Sequence, residues 1–196
     1  MFEPSCPTKR PVRPHTKKGR HLISPIHRDE LAVKKIAQRI SAVVEPELAN
    51  GVHGWRKGGS VQTAVRHIRL LPGERLSFDI EAYFPSIDQQ RMRHKLDRLD
   101  PTLWPSIQRW LPDIGLPSGF AFSPALGNLY LADIDRRFPI VRYCDNIMVI
   151  DQDPNRVFGK LERHLADIGL TCHEKTISPT TFCKQRLRGP KRRPPC

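Results

Sequence analysis

The chain has 196 residues, with 33 Lys and Arg against 20 Asp and Glu and a formal net charge of +13. That length suits one domain, or one domain with a small appendage, and can enclose a sizeable core. A field of that sign gathers polyanions, so nucleic acid is the expected partner, although ribosomal and membrane-surface proteins share such a charge. No apolar run approaches the ~20 residues of a membrane span, so no membrane partner is expected. The N-terminus lacks the apolar stretch of a secretory signal. The five cysteines (Cys6, Cys144, Cys172, Cys183, Cys196) are scattered and form no C-x-x-C pair. A reducing cytoplasm is therefore expected rather than a disulfide framework or a zinc site.

Residues 1–20 are rich in Pro, Lys and Arg without periodicity and read as a loose basic arm. H-L-I-S-P (21–25) suits a short strand. From Asp29, a plausible N-cap, the apolar residues Leu31, Val33, Ile36, Ile40, Val43 and Val44 recur at mostly helical spacing, and Pro46 ends or kinks that helix. G-V-H-G-W-R-K-G-G-S (51–60) is a glycine-rich basic loop, and Ser60 caps a helix to about residue 68. A P-G turn at 71–74 feeds a strand over 75–80. Asp88 caps a helix to about 99, and Pro101 starts another to about 111. G-L-P-S-G (115–119) is a turn. Ser123-Pro124 opens a helix to about 137, with Pro in its preferred first position. Strands at about 140–144 and 147–151 flank a Cys144-Asp145-Asn146 tip. Pro154 starts a helix to about 167 that Gly169 ends, and short strands near 170–172 and 181–187 follow. Residues 190–196 read as a frayed basic tail. The expected class is α+β, with helices packed on one face of an antiparallel sheet.

Two acidic residues stand out. L-S-F-D-I-E-A-Y-F-P-S-I-D (76–88) delivers Asp79 from a strand-like run and is followed by an aromatic ring at Phe84. V-R-Y-C-D-N-I-M-V-I (141–150) delivers Asp145 at a hairpin tip. Carboxylates offered by two adjacent strands are what a two-metal phosphoryl-transfer site uses, because Mg²⁺ takes oxygen ligands and completes its shell with water and substrate phosphates. Taken alone, an Asp-Asn dipeptide also suits an ordinary turn.

The blocks surrounding these residues resemble reverse transcriptases, especially the bacterial retron, group II intron and defence-associated types. F-D-I-E-A-Y-F-P-S-I-D is similar to their motif A. G-L-P-S-G-F-A-F-S-P-A-L-G-N resembles motif B, V-R-Y-C-D-N-I-M-V-I motif C, L-A-D-I-G-L-T-C-H-E-K-T motif D, and F-C-K-Q-R-L-R-G motif E. K-K-G-R-H-L-I-S-P and V-H-G-W-R-K-G-G-S-V-Q-T-A-V-R-H resemble fingers segments. The likeness is colinear over about residues 15–189, and such a series of blocks in order is far more specific than any one alone.

The resemblance implies a right-hand palm (76–189) with reduced fingers (21–75) and no thumb. It implies RNA-directed DNA polymerisation with two Mg²⁺ ions, or Mn²⁺, on an RNA template with a DNA or protein primer and dNTPs. Asp79 and Asp145 become the metal-holding catalytic residues, with Ile80 and Asn146 in the same metal site. Lys175 becomes a candidate proton donor to pyrophosphate. Phe84 takes the place of a steric gate against the ribose 2′-hydroxyl, with Tyr83 as the structural aromatic beside it. Arg20 with Lys17 or Lys18, together with Ser118 and Gly119, become nucleotide contacts. Arg56, Lys57, Arg66, Leu187, Arg188 and Gly189 become nucleic-acid contacts. Each basic residue is equally well read as part of a solvated face.

Three departures matter. Asn146 replaces the usual second motif C carboxylate and removes a charge. Ser118 stands where Gln is usual. Only a short basic tail follows motif E, so a partner protein, a structured RNA or an oligomer is expected to replace the thumb. Two other readings stay open: protein-primed or template-independent nucleotide addition in antiphage defence, and an inactive nucleic-acid-binding subunit.

Overall fold

The structure, a computed structural model, describes residues 11–17 and 20–174. The expected strand near 181–187, motif E and the basic tail lie outside them.

Two strands, β1 (Val12–Lys17) and β2 (Arg20–Pro25), pair antiparallel from Val12↔Pro25 to Lys17↔Arg20. Part of the expected loose arm is therefore a strand. V-R-P-H-T-K has no apolar alternation, so its extended form comes from backbone pairing with β2, and Pro14 is tolerated because β1 has a partner on one side only.

Helix α1 (Glu30–Val44) buries Val33, Ala37, Ile40 and Val44 along one stripe. Asp29 occupies the N-cap position, but its side chain makes no capping hydrogen bond there; a 3₁₀ turn at His27–Asp29 leads the chain in instead. Past Val44 the chain tightens into a second 3₁₀ turn around Pro46. Helix α2 (Val61–Leu70) starts in a capping box: the Thr63 N–H donates to Ser60 Oγ at 3.1 Å, and the Ser60 N–H donates to Thr63 Oγ1 at 2.9 Å.

Strand β3 (Glu74–Ile80) follows, then a one-turn helix α3 (Tyr83–Ser86) that no sequence signal marked. Helix α4 (Gln89–Asp97) is capped by Asp88, whose Oδ1 accepts the Arg91 N–H at 2.7 Å. The helix expected from Pro101 is shorter, α5 (Leu103–Ile107) running into a 3₁₀ turn at Gln108–Trp110. Helix α6 (Ser123–Arg137) carries Pro124 in its first turn. Strands β4 (Ile140–Tyr143) and β5 (Asn146–Asp151), helix α7 (Pro154–Asp167) and strand β6 (Cys172–Glu174) complete the described chain.

The second sheet is antiparallel in the order β4-β5-β3-β6. Alternation along its strands makes two faces. Phe78, Ile80, Ile147, Val149 and Ile140 join the main core with residues of α1, α4, α6 and α7. Val141, Met148 and Ile150 point the other way and pack on Ala64 and Ile68 of α2. Helices therefore cover both faces, not one. The physical reason is that the second face of β4 and β5 is apolar and must be screened from water. On β3 that same face carries Ser77 and Asp79, which have a different use. The protein is thus an α+β fold, and among the described residues no helix is long and apolar enough to cross a membrane.

The capping box at Ser60 fixes where the basic loop ends and α2 begins. Ser60→Ala should cost about 1 kcal/mol, read in urea denaturation as a lower midpoint with unchanged slope.

Candidate active site

Strands β4 and β5 are joined by only two residues, Cys144 and Asp145, because Tyr143 pairs directly with Asn146. Asn146 is thus the first residue of β5 rather than part of the tip. Cys144 has φ of 61°, left-handed at the first turn position, where a hairpin this tight favours glycine. Asp145 is thrown forward by this turn, and its carbonyl accepts the Ile80 N–H at 3.2 Å. Across the strands Asp79 pairs with Asn146, so their side chains leave the same face.

Asp79 and Asp145 line one cavity of about 470 Å³, which also has Trp55, Phe84 and Ser118 in its wall. Both carboxylates are half-buried. The Asn146 amide donates from Nδ2 to Asp145 Oδ1 at 3.1 Å and so steadies that carboxylate. Among the described residues three other than glycine have positive φ: Trp55 (56°), Ala82 (43°) and Cys144 (61°). All three line this cavity. Each such conformation costs on the order of 1–3 kcal/mol, and strain of this kind collects at functional sites.

Behind the turn stands Arg142, fully buried. Its Nε and Nη2 donate to Asp135 of α6 at 2.8 and 2.6 Å, and Nη1 donates to Asn128 Oδ1 at 3.0 Å and to the Cys144 carbonyl at 2.8 Å. Burial opposes the charge, but the Asp135 carboxylate outweighs it and raises the guanidinium above its ordinary value. Asn128 in turn donates from Nδ2 to the carbonyls of Gly54 and Trp55 at 3.0 and 3.2 Å. One guanidinium therefore ties the turn carrying Asp145 to α6, and through Asn128 to the basic loop. The sequence offered one signal that was not taken up: an arginine inside an apolar strand, with an aspartate on the preceding helix.

Of the remaining expected site residues, Ile80, Phe84 and Ser118 share this cavity, and the other described ones do not line it. Ser118 is half-buried in the cavity wall, and its carbonyl accepts the Ile23 N–H at 2.8 Å. Gly119, at φ of 119°, lies so close to β2 that a Cβ would sit 2.5 Å from the Ile23 carbonyl oxygen. Phe84 is in the cavity wall and Tyr83 is buried. Arg56, expected to meet phosphate, instead binds Glu45 through Nε and Nη2 at 3.0 and 2.7 Å and the carbonyls of Ala49 and Val52 through Nη1. Lys57 is exposed beside a second cavity of about 1090 Å³ between α1 and the basic loop, and Arg66 is exposed on α2. The Arg20 main chain opens β2; Lys18, Lys175, Leu187, Arg188 and Gly189 lie outside the described residues.

No protein-family model matches the chain, and no curated protein matches it either.

The donor set fits a hard divalent cation, since a carboxylate from β3 and one from the β4–β5 turn reach one cavity. No group of three or more His, Cys, Asp or Glu side chains able to hold a metal occurs among the described residues. Two carboxylates leave the other positions of an ion's shell to further oxygens, as Mg²⁺ commonly takes from water and substrate phosphates.

Two predictions follow from the loop and its anchor. Asp135→Ala leaves the Arg142 charge buried without its carboxylate and should destabilise the fold by ~3–5 kcal/mol in chemical denaturation. The basic loop also holds His53, whose ring nitrogens lie 3.0 Å from Thr63 Oγ1 and 2.9 Å from His67 Nδ1. Burial, then the neighbouring His67 and Arg56, keeps His53 below its ordinary value of 6.5. The unfolded chain then takes up this proton more readily than the folded one. The stability from neutral His53 is present above that value and is lost as pH falls through it. The melting temperature should drop on acidification through this range, and His53→Gln should flatten that slope.

Proposed function

We propose that this chain is the fingers and palm of an RNA-directed DNA polymerase that performs nucleotidyl transfer at Asp79 and Asp145. The observation that carries the reading is the meeting of these two carboxylates, one from β3 and one from the β4–β5 turn beside it, on one cavity that Phe84 also lines. The order and spacing of the sequence blocks support it, as does the net positive charge, which suits an RNA template and a DNA or protein primer. Ser118 beside the cavity suits a nucleotide contact.

In this reading Asp79 and Asp145 hold Mg²⁺, which when bound activates the primer 3′-hydroxyl and neutralises charge on the leaving pyrophosphate. Asp145 is oriented twice, by the Cys144 turn beneath it and by the Asn146 amide on its Oδ1. Phe84 occupies the wall where a 2′-hydroxyl would press, which favours dNTPs over rNTPs. A second reading, a catalytically inactive nucleic-acid-binding subunit, is favoured by one observation. Asn146 faces Asp79 with an amide where a carboxylate would add a further charge.

The experiment that tests the proposal is primer extension on an RNA template with dNTPs and Mg²⁺. Asp79→Ala and Asp145→Ala should each abolish incorporation while the far-ultraviolet circular dichroism stays unchanged; full activity in Asp79→Ala contradicts the proposal. Asn146→Asp separates the two readings. A charge at ~4 Å is worth about 1–4 kcal/mol after screening. In a working enzyme it should lower the Mg²⁺ concentration for half-maximal rate by roughly tenfold. A chain that binds RNA yet incorporates nothing, before or after this change, supports the inactive reading.

A further inference from the structure

A ring can exclude a hydroxyl group only if it cannot turn away. Phe84 follows Ala82, which has positive φ, and is half-buried at the rim of the cavity. Its ring is not held by the core alone. The Trp55 ring stacks on it, with centroids 5.1 Å apart and planes 23° apart. Tyr83 stacks on both, at 5.7 Å from Phe84 and 6.2 Å from Trp55. The three rings converge on a single residue of α6. A Cβ added to Gly127 would lie 3.0 Å from Phe84 Cε1, 3.2 Å from Tyr83 Cε1 and 3.4 Å from Trp55 Cζ3. The Tyr83 hydroxyl donates to the Gly127 carbonyl, fixing one ring to this helix.

Gly127 has no turn to make. It sits inside a helix, where alanine would be favoured, so the space for three rings is its evident use. Trp55 is held from behind, through the Asn128 bond to its carbonyl. Its own backbone is left-handed, φ of 56°, and the residue stands in the cavity wall.

We propose that Trp55 and Gly127 are positioning residues for sugar selection: Trp55 braces the Phe84 ring by stacking on it, and Gly127 leaves the space in which that ring lies. The inference rests on the polymerase reading and extends it from the gating residue to the residues that make the gate rigid. A braced Phe84 meets a ribose 2′-hydroxyl as a fixed wall. An unbraced one swings toward the space the indole vacates and admits it.

The test is single-nucleotide incorporation with a matched dNTP and rNTP, compared as the ratio of kcat/KM values in wild type, Phe84→Ala, Trp55→Ala, Trp55→Phe, Gly127→Ala and the Trp55→Ala, Phe84→Ala double variant. Trp55→Ala should reduce the dNTP preference by roughly tenfold or more, and Trp55→Phe should restore most of it. Gly127→Ala should shift the ratio in the same direction. Because Trp55 acts through Phe84, the double variant should match Phe84→Ala within about twofold. If Trp55→Ala does not fold, Trp55→Leu keeps apolar bulk without a stacking plane, and the same loss of preference is expected. A ratio unmoved by Trp55→Ala or Trp55→Leu, or a shift that adds in full to that of Phe84→Ala, overturns the brace while leaving the polymerase reading intact. Wild type that incorporates neither nucleotide overturns both.

Discussion

A guanidinium out of reach of water must be met by acceptors, and Arg142 makes four bonds to three residues, Asp135 and Asn128 of α6 and Cys144 of the β4–β5 turn. Against a well-packed apolar substitute, such a buried pair adds little net stability, because desolvating both charges offsets their attraction. Its consequence is selective. Any arrangement that shifts α6 or the β4–β5 turn takes acceptors from a buried charge, at a cost of ~3–5 kcal/mol, and a shift of the basic loop breaks its bonds to Asn128. The hairpin tip, the helix and the loop can therefore take up one mutual arrangement, in which Asp145 stands forward beside β3. The parallel bridge between Val52 and Arg142, with the Arg142 N–H donating to the Gly51 carbonyl and the His53 N–H to the Arg142 carbonyl, repeats that tie in the main chain.

The cavity built on this anchor carries the strain of the fold. Trp55, Ala82 and Cys144 each accept a left-handed backbone that glycine would adopt freely, and each stands in the cavity wall. Cys144 is held there because its carbonyl accepts from Arg142. Trp55 is held because its carbonyl accepts from Asn128. Rigid surroundings and unfavourable local conformations occur together, which is how a site keeps carboxylates and an aromatic ring at set positions without a ligand to gather them.

Much of this fold was legible from local signals. Ser60 with Thr63, Asp88, and Pro at positions 124 and 154 mark helix starts by capping physics, and α2, α4, α6 and α7 begin where they say. Apolar strand-like runs in 75–80 and 147–151 marked the central strands. The rest depends on tertiary context. β1 has no periodic pattern and exists because β2 pairs with it. α3 is a single turn closed around Ala82. α2 crosses to the second face of the sheet because Val141, Met148 and Ile150 need cover, which no local pattern in α2 announces. In the site, Asp79 and Asp145 were readable because a strand-borne carboxylate next to a turn is a local feature. Asn128, Trp55 and Gly127 were not, since their roles consist of contacts across 14 to 74 positions of sequence. Arg56 illustrates the converse: a basic residue in a basic loop reads as a phosphate contact, yet Glu45 and two carbonyls engage it.

The central claim is that Asp79 and Asp145 act together as one dication site. It is tested most directly by titrating the protein with Mn²⁺ in the presence of a non-hydrolysable dNTP analogue and following bound ion by electron paramagnetic resonance. The account predicts that Asp79→Asn and Asp145→Asn each remove the same bound population and that the double variant removes no more. Mn²⁺ binding unchanged in either single variant, or losses that add independently, would contradict it.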